Sequence, residues 1–258
     1  MFASASRIVS PEARHRSRRL GGIAALLGAS WLAIASMTGV AAQESATPTA
    51  IQPGVLDTEP ATLDCDPTDD ATPAAGDAVT AAEIYEIVSE ESEARYLVEE
   101  ELAGVGATTA IGRTNAFIGS ILFDEEGMPL PCSQFFVDLR TLTSDEPRRD
   151  NYLYNNTLET QTYPLASFVL TGVEGLEGAL EEGEETTLTL LGDLMIHGVT
   201  RAVAWQATVT LDGDQLTGSA TLPFEMPDFD IEPPRVGAVV SLDETVTLEI
   251  DVTAQRVA

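Results

Sequence analysis

Val203-Ala204-Trp205-Gln206-Ala207-Thr208-Val209-Thr210-Leu211, then Asp212-Gly213-Asp214-Gln215, then Leu216-Thr217-Gly218-Ser219-Ala220-Thr221-Leu222-Pro223-Phe224 is the stretch that decides the fold. In the first run every odd position is apolar and most even ones are polar. In the last run Leu216, Gly218, Ala220, Leu222 and Phe224 alternate likewise. A period of two is the strand period, and one apolar face beside one wet face is the antiparallel case. The Asp-Gly between the runs predicts a hairpin turn.

The same alternation extends outward. Upstream it runs through Leu188, Leu190, Gly192, Leu194 and Ile196. Downstream, Val246, Leu248, Ile250 and Val252 share one face and Thr245, Thr247, Glu249 and Asp251 the other. Further strands are expected over Ile84–Val88, Ala94–Leu102, Thr114–Phe123, Gln134–Leu139 and Ala166–Thr171. Glu146 to Leu158 breaks the period and reads as a short helix crossing one end of the sheet. The fold expected is all-β: an antiparallel barrel of roughly eight strands over residues 80–258, closed so that no edge is left open. Such an interior is filled by side chains or holds one small ligand. Alternation points Phe117, Ile121, Phe123, Leu139, Phe168 and Leu170 into it. Leu194, Ile196, Val203, Trp205 and Leu248 point the same way, with Leu153 on the crossing segment.

The front of the chain is different. Residues 1–42 hold five arginines, one acid and an apolar Gly/Ala-rich stretch ending in Val40-Ala41-Ala42-Gln43. This reads as an export signal or an N-terminal anchor, residues 20–42 being long enough for a membrane tether. The expected location is exported: periplasmic, secreted or attached to the cell envelope. Residues 43–79 are rich in Ala, Thr, Pro and acids and read as a disordered linker.

The whole chain has 13 basic and 42 acidic residues and no lysine. Taking away five arginines and one glutamate with residues 1–42 leaves a charge of about −33. Such a surface repels phosphate backbones, so nucleic acid is excluded as a partner. The two cysteines, Cys65 and Cys132, can form one disulfide in an exported protein or remain as thiols.

Groups that carry chemistry are few. His15 falls in the export signal, so His197 is the sole imidazole of the barrel region. It is either hydrogen-bonded to a loop backbone or a polar contact at the barrel mouth. No metal-ligand spacing or cofactor motif occurs, and neither a metal nor a cofactor is expected. Gly104-Val105-Gly106-Ala107-Thr108-Thr109 reads as a turn. Arg148, Arg149 and Asp150 stand where the alternation stops, either fixing the crossing segment by ion pairs or presenting an arginine to a ligand's polar head.

Taken in order, Arg149-Asp150-x-x-Leu153, Tyr163-Pro164-x-x-x-Phe168 and Gly192-x-Leu194-x-Ile196-His197-Gly198-Val199-Thr200 resemble the YceI-like family. Ser92-Glu93-Ala94-Arg95-Tyr96 resembles its first barrel strand, and Asp228-Phe229 its Asp-Phe-Gly segment. Met195 stands where the family has Thr, Asp230 where it has Gly, and Leu158-Glu159 where an aromatic pair is usual. The resemblance implies a lipocalin-like barrel binding a polyisoprenoid or similar long amphiphile; on the functional reading of the residues themselves, Arg149, Asp150 and His197 are polar contacts at its mouth. Two alternatives stand beside it. One is a structural or stress-related envelope protein with a filled barrel. The other is a hydrolase or isomerase acting on an amphiphile, with His197 as base.

Overall fold

The computed structural model describes residues 51–61, 81–235, 237 and 239–257. Its strands are β1 (Gly54–Val55), β2 (Glu83–Ile87), β3 (Glu93–Leu102), β4 (Gly106–Thr114), β5 (Phe117–Phe123) and β6 (Gln134–Asp138). After helix α1 (Pro147–Tyr152) come β7 (Leu165–Glu174), β8 (Glu185–Ile196), β9 (Val199–Asp212), β10 (Gln215–Glu225), β11 (Val239–Leu242) and β12 (Thr245–Arg256). The circuit β2-β5-β6-β7-β8-β9-β10-β12 returns to β2 with every pairing antiparallel, which closes an eight-stranded barrel.

Two of these strands are longer than the alternation suggested. β12 pairs with β2 through Ala254↔Ile87 and with β3 through Ile250↔Ala94, so β2 and β3 are halves of one bent strand. Between them the Ser92 hydroxyl donates to Val88 O (2.9 Å) and accepts from Thr253 N (3.0 Å), filling the gap that the bend opens in the ladder. β4 and β5 are likewise two halves of the next strand. Of the stretch expected to be a turn, only the part around Gly104-Val105 turns. Gly106 starts β4, which pairs along its whole length with β3. Its run of Gly, Ala and Thr lacks the large side chains that would have signalled a strand.

The linker expectation is also corrected in part. Gly54 and Val55 form β1 on β9, pairing with Ala204 and Val203, and Leu56 N donates to Ala202 O at 2.9 Å. β9 has a vacant edge there because its pairing with β10 ends at Thr221↔Gln206. Two residues on, Pro223 has no N–H to offer. The rest of residues 43–79 outside 51–61, and all of 1–42, lie outside the described residues, as do the signal, anchor and tether expected there.

The crossing segment is helical as expected. Glu146 accepts from Arg148 N at 3.1 Å as the N-cap and Pro147 opens α1. A π-helical turn, Leu153–Thr157, continues it to Leu158. The Tyr154 hydroxyl donates to Leu142 O and ties the segment to the wall. Trp205, Phe117, Leu194, Leu222 and Val203 are fully buried within the barrel, each contributing roughly 1.5–3 kcal/mol of apolar burial.

Candidate functional site

The barrel interior is hollow on both sides of an aromatic waist. Phe135 of β6 stacks on Phe168 of β7, with centroids 5.2 Å apart at 27°. It meets Trp205 of β9 edge-on at 6.3 Å and Phe117 of β5 at 5.0 Å. Gly192 on β8 makes room for this cluster, since a Cβ there would lie 2.4 Å from the Phe168 ring. On either side lies an apolar cavity of about 120 Å³, and Phe135, Trp205 and Ile250 line both. One extends toward Phe123, Leu180 and Leu216; the other toward the π-helical turn at Leu153 and Thr157. A third, wider hollow of about 530 Å³ lies at the rim, sharing Tyr96, Val98, Leu153, Thr157 and Met226 with the second cavity.

Of the residues expected inside, Phe117, Ile121, Phe123, Phe168 and Leu170 line the first cavity, and Leu139, Leu153, Leu194, Ile196 and Leu248 the second. Trp205 lines both. Val203 is buried in the wall opposite Val55 and Gly192 and lines none of the three hollows. Leu139 lies in a 3-10 turn just past β6 rather than on the strand. Phe135, Tyr96 and Thr157 also line the cavities, and alternation did not select them. Phe135-Phe136 gives two aromatic residues in succession, so the pattern could not choose which faces inward. Tyr96 and Thr157 carry hydroxyls, which a search for apolar residues passes over.

Those hydroxyls are the unusual feature of the lining. Among the described residues three buried side-chain atoms have no hydrogen-bond partner: Tyr96 Oη, Thr157 Oγ1 and Trp205 Nε1. All three residues line the second cavity. A buried donor left unbonded costs about 1–3 kcal/mol. Burial, helped by the acids Asp150, Glu100 and Asp145 and opposed by Arg149, pushes the Tyr96 phenol up to about 12, so it keeps its proton at neutral pH. Its ring lies against Gly112 of β4, where a Cβ would be 2.1 Å from it.

Arg149 stands at the rim but is already engaged. Nη2 donates to Glu100 at 2.8 Å and Nη1 to Asp145 at 2.6 Å, and the Glu100 side chain is only 4% exposed. Burial alone would lower the Arg149 pKa; the bond to Asp145 and the charge of Glu100 raise it instead. Asp150 accepts from the backbone and hydroxyl of Ser144 at 3.0 and 2.6 Å, and it lines none of the three hollows.

His197 also lies outside them. With Gly198 it makes the two-residue turn between β8 and β9, both at positive φ (53° and 76°), as the primed hairpin turns require. Nδ1 faces Phe229 O at 3.3 Å and Nε2 faces Glu159 at 3.2 Å. Tyr163 packs on the imidazole, and a Cβ at Gly198 would be 2.6 Å from the Tyr163 ring. The His-Gly and Tyr-Pro motifs therefore hold each other. Asp230, also at φ 53°, takes the left-handed turn after Asp228-Phe229 where the family pattern has glycine. Cys132 is disulfide-bonded, and Cys65, the other cysteine of the chain, lies outside the described residues.

A closed eight-stranded antiparallel barrel around an apolar interior, with a helical segment across one end, defines the class of lipocalin-like barrels. Within that class the chain belongs to the family of the YceI-like domain, whose model matches residues 85–254. A UPF0312 protein of Pseudomonas putida strain W619 is 30% identical over 169 residues, covering 62% of this chain and 80% of its own length. Protein YceI of Escherichia coli O157:H7 is 28% identical over 182 residues, covering 68% of this chain and 89% of its own. A polyisoprenoid binding domain from Saccharophagus degradans, implicated in plant cell wall breakdown, superposes with a TM-score of 0.52 at 16% identity. It covers 68% of this chain and 99% of its own. BcnA of Burkholderia cenocepacia gives 0.52 at 17% identity, covering 66% and 99%. At these identities the two structures speak for the fold.

Proposed function

We propose that this chain is an exported binding protein that holds a polyisoprenoid or similar long amphiphile along the barrel axis, and that it is not an enzyme. The observation that carries the reading is the hollow interior: two apolar cavities that share Phe135, Trp205 and Ile250, the second of them bordering a wider polar-lined hollow at the rim. Apolar burial at roughly 25 cal/mol per Å² is enough to retain such a chain without catalytic groups. The kinship with a polyisoprenoid binding domain agrees with it. Catalysis by His197 is disfavoured because both ring nitrogens already face acceptors, Phe229 O and Glu159.

Export follows the arginine-rich front and the Val40-Ala41-Ala42 end. N-terminal sequencing of protein recovered from cell fractions tests it; a full-length cytosolic product would overturn that part.

Solvent extraction of natively produced protein followed by mass spectrometry tests the cargo. The expected result is a long-chain lipid in near one-to-one amount. Purification without lipid, together with no uptake of added geranylgeraniol, would leave the filled-barrel reading. The waist of Phe135, Phe168 and Trp205 is the observation in favour of that second reading.

A further inference from the structure

All three buried side-chain atoms without a hydrogen-bond partner among the described residues belong to residues that line the second cavity. Tyr96 and Thr157 lie at its rim side, since both also line the outer hollow. Trp205 lies at its inner side, since it also lines the first cavity. Each carries a buried polar atom with no partner. Thr157 is 6% and Trp205 2% exposed, so bulk water does not serve them. Other buried hydroxyls nearby are bonded: Thr160 donates to Tyr154 O, Thr114 bonds Thr141, and Ser92 bonds Val88 O. The unbonded atoms thus bracket one compartment rather than being scattered.

Their chemistry limits what can sit between them. An indole N–H only donates, and the two hydroxyls donate as readily as they accept. Cationic help is scarce. Arg95, which borders this cavity, spends its guanidinium on Glu93, Glu249 and Asp251. Arg149 spends its own on Glu100 and Asp145. The exposed Arg148 shares the rim with Glu146, whose carboxylate caps α1. A phosphorylated head would meet few uncommitted cations and two acids, Glu100 and Glu146.

We infer that the cargo has an uncharged head bearing acceptor oxygens of the carbonyl or ester kind. The head rests in the second cavity between Tyr96 and Thr157 on one side and Trp205 on the other, with the tail passing the aromatic waist. Tyr96 and Thr157 are then the residues that set head-group specificity. This rests on the proposed binding role and adds the class of head group.

Three ligands with the same C20 tail test it on the full chain by tryptophan quenching and calorimetry: geranylgeranyl acetate, geranylgeranyl pyrophosphate and the hydrocarbon phytane. The acetate should bind about tenfold more tightly than either of the others. Tyr96→Phe and Thr157→Val should each erase most of that preference while leaving phytane binding within about twofold. Without ligand, Tyr96→Phe should be at least as resistant to urea as the parent, because it removes an unbonded buried hydroxyl. A less stable Tyr96→Phe would show that the hydroxyl serves the fold and would overturn the assignment. Equal binding of all three ligands, or tightest binding of the pyrophosphate, would overturn the head-group inference and leave lipid binding standing. Binding of none would remove the binding role itself.

Discussion

The two ends of the barrel solve the same packing problem in opposite ways. Near the Asp212–Gln215 turn, Tyr85 and Phe123 meet edge to face at 5.5 Å, and Leu216 and Ala254 complete a small buried cluster. The Tyr85 hydroxyl donates to Glu83 at 3.2 Å. At the α1 end the cover is a helical segment, the rim holds a charge pair, and the cavity beneath contains hydroxyls without partners. The first end surrounds a cavity of similar size, but its buried polar group, the Tyr85 hydroxyl, has a partner. The second accepts costs that closure does not need, which is where stability is ordinarily given up for function.

The largest test of this contrast is truncation. Phe123→Ala should cost about 4 kcal/mol in urea unfolding. The half-buried Leu153→Ala, facing space that is already open, should cost about 1 kcal/mol. Equal losses would mean that the helical end is packed as tightly as the other.

Next comes the charge pair. Arg149→Met leaves Glu100 buried without its cation and should cost roughly 3 kcal/mol. Adding Glu100→Gln to that variant should restore most of the loss. A measured loss below about 1 kcal/mol would place the pair among ordinary surface contacts.

Alkaline pH gives a smaller effect. The Tyr96 phenol is raised to about 12 in the fold and ionises near 10 when unfolded. A raised value favours the folded state below pH 10, and that advantage fades as pH climbs from about 10 to 12. The unfolding free energy should fall by about 2 kcal/mol across that window, and Tyr96→Phe should flatten the fall. Tyr85 and Tyr154 shift in the same direction, chiefly through burial, and will leave some residual slope.

The smallest effect expected is at β1. Leu56→Pro deletes the bond to Ala202 O and should cost about 1 kcal/mol. It should also speed hydrogen exchange in β9 around Val203 and Ala204. Unchanged exchange would mean that β1 lies on the wall without protecting it.

Most of the barrel was legible because its strands alternate under one buried face, and the hairpin at Gly213 announced itself. The strand from Gly106 to Thr114 was not, since small and threonine side chains half exposed to solvent carry little hydrophobic signal. β1 was illegible for a different reason: its partner edge exists only because β10 parts from β9 near Pro223, a tertiary fact with no local trace. In the site, alternation picked out the greasy lining and missed the hydroxyls of Tyr96 and Thr157. His197 illustrates the converse. Its rarity drew attention, yet its place is a turn that Gly198 makes and Tyr163 braces.

β1 also changes how the front of the chain is attached. Because Gly54 and Val55 are laid into the wall beside β9 while β2 begins at Glu83, the chain between them is anchored at both ends. A protease cut between β1 and β2 would not release the front piece at once, because the residue pairs Gly54↔Ala204 and Val55↔Val203 and the bond from Leu56 still hold it. A pull applied at Gly54 is thus borne by β9 beside the place where β10 leaves it, so it loads the wall that encloses the cavities.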